Sequence, residues 1–296
     1  MIIDQNIPRK EKITRDRLQF VPGTKIPLMS VVEISNSGMC NRKCSFCPRS
    51  DPNYPDINEF ISNKLHKKIF SELSELKFNG MVIYSGYVEP LLHKKIYENI
   101  AEARHYLPEA QIEIISNGDV LNKKRLTNLF LSGLDRLFIS VYDTVDDVKR
   151  FENLAKECDL SEKVIVRDRT LPPEEDFGIT MSNRAGMLKN AEHKVLPLNK
   201  KLDKACYYPA YTFFMDYNGD VLMCAHDWGK KRILGNLNND TFLNLWTSKF
   251  TNVSRKMLIN GNRSVSPCNV CDVKGTLIGK KHVQAWNNKY EKEKKI

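Results

Sequence analysis

Between residues 30 and 167 the chain alternates short apolar runs with longer stretches in which apolar residues recur every three or four positions. Ser30–Ser35, Met81–Tyr84, Ile112–Ile115, Leu137–Val141 and Lys163–Arg167 read as strands. Between the first two, Ile57, Ile61, Leu65, Ile69 and Leu73 predict a helix with one buried stripe, ended by Gly80. Further helices are predicted from Leu92 to Leu107, stopped by Pro108, and from Asn122 to Leu131, closed by Gly133. Another starts at Asp143/Thr144, with Asp146 and Asp147 suited to its first turn and Val145, Val148, Phe151, Leu154 and Cys158 on one side. Strands alternating with helices of this length imply βα units and a parallel sheet.

After Arg167 the alternation fails. Only Asp168 to Asp176 precede the next extended stretch, Phe177–Met181, and they include Pro172 and Pro173, which exclude a crossover helix. The predicted fold is therefore α/β, a truncated parallel β/α barrel of five or six strands, spanning 30–190 after an irregular arm over 1–29. From 191 to 275 a smaller C-terminal domain is expected. Tyr211–Asp216 and Val221–Cys224 form a hairpin around Asn218-Gly219, and Phe242, Trp246, Phe250, Val253 and Met257 form a helix stripe. Residues 276–296 read as a basic tail.

Composition narrows the class. The N-terminus lacks an apolar signal region and no apolar run reaches membrane-spanning length, so a cytoplasmic protein without membrane contacts is expected. Eight cysteines in such a chain point to metal ligation rather than disulfides. The net charge of +10 is spread over helix faces and the tail, with no arginine block interleaved with aromatics. That favours a lysine-rich solvated surface over a nucleic-acid partner, with an anionic small substrate as the residual reading.

Cys40, Cys44 and Cys47 form a C-x3-C-x2-C run just after the first strand. Thiolates at that spacing can face one centre. A structural zinc normally has four closed ligands, and the nearest histidine, His66, lies nineteen residues on in a predicted helix. A [4Fe–4S] cube held by three cysteines leaves one iron open for a substrate or cofactor.

With Tyr84-Ser-Gly86-Tyr-Val-Glu89-Pro90 after the second strand, Ser116-Asn117-Gly118 after the third and Ser140 on the fourth, the chain resembles the radical S-adenosylmethionine (SAM) enzymes. The resemblance spans most of Ser30 to Cys271, and Val88 stands where the family usually has a second glycine. It implies a SAM-binding [4Fe–4S] cluster on Cys40, Cys44 and Cys47, whose open iron chelates the SAM amine and carboxylate. One electron, from an external reductant such as a flavodoxin or ferredoxin, then cleaves SAM to a 5′-deoxyadenosyl radical that abstracts a substrate hydrogen. It further implies that Gly86 and Glu89 serve the SAM amino group and that Phe46 lies beside the adenine. Asn117, Ser140 and Arg167 complete the SAM contacts, the last two at the ribose or carboxylate. All these residues fall at carboxyl ends of strands, where ligands bind in parallel α/β folds.

Cys206, Cys224, Cys268 and Cys271 follow as C-x17-C-x43-C-x2-C, similar to the auxiliary-cluster region of the SPASM and twitch subfamily. Only Cys158 remains, on the apolar side of its helix, so the count fits one auxiliary [4Fe–4S] cluster with four protein ligands and no open iron. A zinc ion is the alternative occupant, because a C-x2-C pair also suits zinc. Between the two centres lie Arg184, His226 and Asp227, candidates for binding a small-molecule substrate and accepting its proton.

These features resemble family members that dehydrogenate a secondary alcohol of a small polar molecule such as a sugar or cyclitol, with the auxiliary cluster as electron acceptor. The alternatives are a SPASM-type peptide or protein maturase, for which about thirty residues before the first strand are few, and a non-catalytic iron–sulfur or zinc module. The last would leave Glu89, Asn117 and Ser140 without a purpose.

Overall fold

The computed structural model describes residues 6–170, 182–190 and 195–293; the predicted sixth stretch, Phe177–Met181, lies outside them. The chain opens with helix α1 (Asn6–Asp16), then strand β1 (Val31–Ser35) and a small antiparallel pair, β2 (Ser37–Gly38) and β3 (Ile57–Phe60). The βα alternation follows as α2 (Asn63–Glu75), β4 (Met81–Tyr84), α3 (Ile96–Tyr106), β5 (Gln111–Ser116), α4 (Lys123–Leu131), β6 (Arg136–Val141), α5 (Val145–Glu157) and β7 (Val164–Asp168). The C-terminal part contributes α6 (Tyr208–Tyr211), β8 (Thr212–Asp216), β9 (Asp220–Leu222), β10 (Ile233–Asn236), α7 (Phe242–Thr247), α8 (Lys249–Ile259) and α9 (Lys280–Glu293).

The sheet runs β10-β9-β8-β1-β4-β5-β6-β7. β1, β4, β5, β6 and β7 pair in parallel, as the alternation requires. The hairpin predicted as part of a separate C-terminal domain joins this sheet: β8 pairs in parallel with β1, Val31 opposite Thr212 through Ser35 opposite Asp216. Pairing between segments so far apart in sequence leaves no periodic signal in either one.

Strand side chains alternate between two environments. Val32, Ile34, Val82, Tyr84, Ile112, Ile114, Leu137, Ile139, Phe213 and Met215 face the helices in one large core. Glu33, Ser140 and Arg167, on the other face, line the barrel interior. Helix α1 enters that interior. Its Ile13 packs with Val31, Met81, Ile83 and Tyr211, its Arg9 pairs with buried Glu113, and its Lys10 pairs with Glu33 at 3.2 Å. The expected irregular arm is thus an amphipathic helix. Its apolar residues are too few to read as a stripe in so charged a segment.

Three further expectations change. Ile57 lies in β3, and α2 begins only at Ser62, whose Oγ accepts a hydrogen bond from the Leu65 N–H (3.1 Å). That helix is reversed at Lys77, with φ +54°, rather than at Gly80. The helix drawn through Phe242 and Met257 breaks at Ser248, which caps α8 through the Thr251 N–H, and the break turns Phe250 and Val253 to solvent. The basic tail is largely helix α9, in which Trp286 is fully buried and donates to the Ala210 carbonyl (3.0 Å). The guanidinium of buried Arg255 lies 3.9 Å from the Trp286 ring. Lysines dominate α9, so one side carries the charge while the other docks.

Candidate active site

The cysteine loop is fastened to the strand ends by polar contacts. Arg49, buried, donates to the Tyr87 carbonyl (2.7 Å), the Gly38 carbonyl (2.8 Å) and Asp56 (2.8 Å). The Glu89 N–H donates to the Met39 carbonyl (2.9 Å). Asn41 accepts from Asn117 Nδ2 (2.9 Å), and Arg42 bridges Asp119 and Asp143. Consequently Cys40, Cys44 and Cys47 open together into one cavity of about 550 Å³ at the carboxyl ends of β1, β4, β5 and β6. Burial pushes the Cys44 thiol up to about 12, with Cys47 nearby adding to the effect, and raises Cys40 and Cys47 in the same direction. Loading such thiols displaces their protons.

The predicted SAM set lines the same cavity: Phe46, Gly86, Glu89, Asn117, Ser140 and Arg167. Gly86 has φ +90°, and a β-carbon there would stand 3.0 Å from the Phe214 ring, so the position requires glycine. Residue 88 has no positive φ, which is why valine is tolerated where the family has glycine. Glu89 is buried and accepts from Ser116 Oγ (2.8 Å), the Asn117 N–H (2.8 Å) and the Leu91 N–H (3.0 Å). Burial nevertheless lifts its carboxyl to about 7. Ser140 Oγ accepts from Arg167, and Phe46 packs on Tyr142 with ring centroids 4.7 Å apart.

Cys206, Cys224, Cys268 and Cys271 gather around a second, narrow cavity. Burial raises the Cys224 thiol well above its usual value, and the other three thiols raise it further by proximity. Arg263, buried beside them, donates to the Lys204, Ala205 and Val273 carbonyls and supplies the local positive charge. Nothing in the sequence marks that arginine. Three cysteines lining one cavity and four lining the other are donor sets that suit iron–sulfur clusters.

Tyr208, His226 and Val273 line both cavities. His226 shares hydrogen bonds with Tyr208 Oη (3.2 Å) and Ser182 Oγ (3.2 Å). Burial, then repulsion from Arg184 and Lys10, pushes its imidazole down to about 3, so it is neutral. Arg184 sits in the main cavity within a run of left-handed residues: Arg184 φ +47°, Ala185 +51°, Gly186 +88°. Such strain for two non-glycine residues persists only where the surroundings hold it. Here Asn183 does so through the Leu196 and Val270 carbonyls, while its N–H donates to Asp272 (2.9 Å). Asp227 does not join the main cavity; its carboxylate accepts from the Lys231 (2.9 Å) and Arg232 (2.7 Å) N–H groups and shapes the loop. Lys10, Glu33, Tyr142, Arg169, Tyr208 and Lys274 line the cavity without having been predicted. For Glu33, a charged side chain within an otherwise apolar strand was the available signal.

A parallel, partly closed barrel with three cysteines at its mouth defines a radical SAM enzyme, and the chain belongs to the radical SAM superfamily. The superfamily profile matches residues 34–159, and that of the SPASM iron–sulfur cluster-binding domain matches 206–279. The enzyme is an oxidoreductase using a [4Fe–4S] cluster and SAM. The chain is 30% identical over 249 residues to the S-adenosyl-L-methionine-dependent 2-deoxy-scyllo-inosamine dehydrogenase of Niallia circulans, covering 83% of this chain and 93% of that one. It is similar in structure to BtrN in complex with AdoMet and 2-DOIA, with TM-score 0.73 and 27% identity over 86% of this chain and 98% of that one. Similarity to anSMEcpe with bound AdoMet (TM-score 0.51, 15% identity, 89% and 96% coverage) is one of fold alone. No helix among the described residues is long and apolar enough to cross a membrane.

Proposed function

We propose that this enzyme dehydrogenates a secondary alcohol of a small polar molecule of the sugar or cyclitol class, with a second [4Fe–4S] cluster on Cys206, Cys224, Cys268 and Cys271 as electron acceptor. One observation carries the reading: the cavity that holds Cys40, Cys44 and Cys47 is bounded by Tyr208, His226 and Val273, which also wall the four-cysteine pocket. A substrate there lies between two redox centres.

When bound, the cluster and SAM supply a 5′-deoxyadenosyl radical, the group that removes a hydrogen atom. The chain's own residues do the rest. Glu89 fixes the ends of β4 and β5 and offers its carboxylate to an ammonium. Arg184 holds substrate oxygen, and neutral His226 accepts the hydroxyl proton as electron density leaves the carbinol carbon. An external one-electron donor such as a flavodoxin or ferredoxin completes the cycle. Asp227 acts through the loop that carries His226.

Anaerobic reconstitution with iron and sulfide counting tests the two-cluster reading. Wild type should hold about eight irons and the Cys40→Ala/Cys44→Ala/Cys47→Ala variant about four, with SAM cleavage abolished. Four irons plus zinc in the wild type would remove the electron-accepting role, and a product no more oxidised than its substrate would remove the dehydrogenation.

A further inference from the structure

We infer that the substrate is an anionic polyol, bearing a carboxylate or a phosphate ester that is held by Arg184 with Lys274 at the cavity rim. This rests on the dehydrogenase reading only for the identity of the reacting alcohol.

The inference follows from pairing off the charges that line the cavity. Arg42 is engaged with Asp119 and Asp143, Arg49 with Asp56, and Arg167 with Ser140, and Arg169 is engaged as well. Among the carboxylates, Glu33 pairs with Lys10 and accepts from Ser85 Oγ (2.6 Å). Glu89 already has three donors, and both oxygens of Asp272 face the Asn183 N–H (2.9 and 3.0 Å). Every carboxylate in the wall is therefore committed inside the protein or, for Glu89, to the SAM ammonium as well. None is left to receive a substrate ammonium.

The cations are not matched in the same way. Among the described residues Arg184 and Lys274 make no ion pair, and the buried Nε of Arg184 has no hydrogen-bond partner. Arg184 stands close enough to Cys47, Tyr208, His226 and Asp272 to act on each electrostatically, which places it between the two cysteine sets. SAM and its cluster do not cancel this surplus: SAM has a sulfonium, an ammonium and one carboxylate, and a [4Fe–4S]²⁺ cluster on three thiolates has net charge −1, so together they are neutral. The second cluster, at −2 on four thiolates, lies behind the wall formed by Tyr208, His226 and Val273. A half-buried guanidinium with an unused N–H is stabilised by a planar oxyanion, to which its fork is matched. The relative's substrate is named as an inosamine, an amine. The wall of this cavity is built for the opposite charge.

Titration calorimetry on the reconstituted enzyme with SAM and no reductant tests the inference. The probes are myo-inositol, myo-inositol 1-phosphate, glucuronate and 2-deoxy-scyllo-inosamine. At least one anionic probe should bind roughly tenfold or more tightly than myo-inositol, as a charge-assisted bidentate contact provides. Which of the two does so separates phosphate from carboxylate. Arg184→Gln, checked for retained iron, should reduce that advantage to about threefold or less. Lys274→Gln, at the exposed rim, should reduce it partly and serves if Arg184→Gln does not load iron. Equal or absent binding of the anions, or tightest binding of the amine, overturns the inference. Dithionite-driven SAM cleavage is measured separately. Its loss in the wild type would fault the parent reading, while cleavage without anion preference faults only this one.

Discussion

The Glu89 carboxylate accepts the backbone N–H of Asn117 at 2.8 Å, tying the loop after β4 to the loop after β5. The same carboxylate holds Ser116 Oγ, and the Glu89 N–H is bound by the carbonyl of Met39, next to Cys40. One residue, through its carboxylate and its backbone N–H, thus sets the relative positions of three loops that carry the cofactor site.

Glu89→Gln keeps the shape but replaces one acceptor oxygen with an NH₂ that faces donors. The variant should bind SAM roughly tenfold or more weakly, because a charge-assisted contact is lost and buried donors are left unpaired. Cys40, Cys44 and Cys47 should still load iron. Equilibrium SAM binding together with iron content checks this; unchanged affinity would show that Glu89 serves only the fold.

Gly275 packs against the second cysteine set. A β-carbon there would lie 2.4 Å from Cys206 Sγ and 2.9 Å from Cys206 Cα, and the backbone cannot yield as a flexible side chain would. Gly275→Ala should lose roughly half the iron by displacing Cys206 from the four-thiol site. SAM cleavage at the other cluster should persist while turnover to oxidised product falls. Iron counting and product analysis of the same preparation distinguish this from general misfolding.

His282 binds the base of the barrel to α9, with its Nε2 2.8 Å from Ser30 Oγ. It is fully buried, and burial pushes its pKa down from 6.5 to about 4. The folded protein keeps the ring neutral, so the unfolded chain takes up the proton first as pH falls. The corresponding stability is present above pH 6.5 and is lost progressively down to about 4, by at most roughly 3 kcal/mol. Apparent melting temperatures at pH 7.5 and 5 should fall more for wild type than for His282→Gln. Equal slopes would show that His282 is not the titrating group.

The sequence by itself determined the βα alternation, the three cysteines after β1, the strand-end residues Glu89, Asn117 and Ser140, and the four later cysteines. These are local signals: apolar periodicity fixes each element, and strand ends in a parallel sheet necessarily converge on one face. Tertiary structure alone decided the rest. Helix α1 enters the barrel because Glu33 and Glu113, on the interior face, require buried cations, and Lys10 and Arg9 supply them from far along the chain. The C-terminal strands extend the barrel sheet because β8 covers an edge of β1 that sequence order does not reveal. Asp227 was separated from Arg184 and His226 by the same means, its carboxylate being taken up by two backbone N–H groups of its own loop. Which polar side chain faces a ligand and which faces the backbone depends on contacts between distant segments, and those form only when the chain is folded.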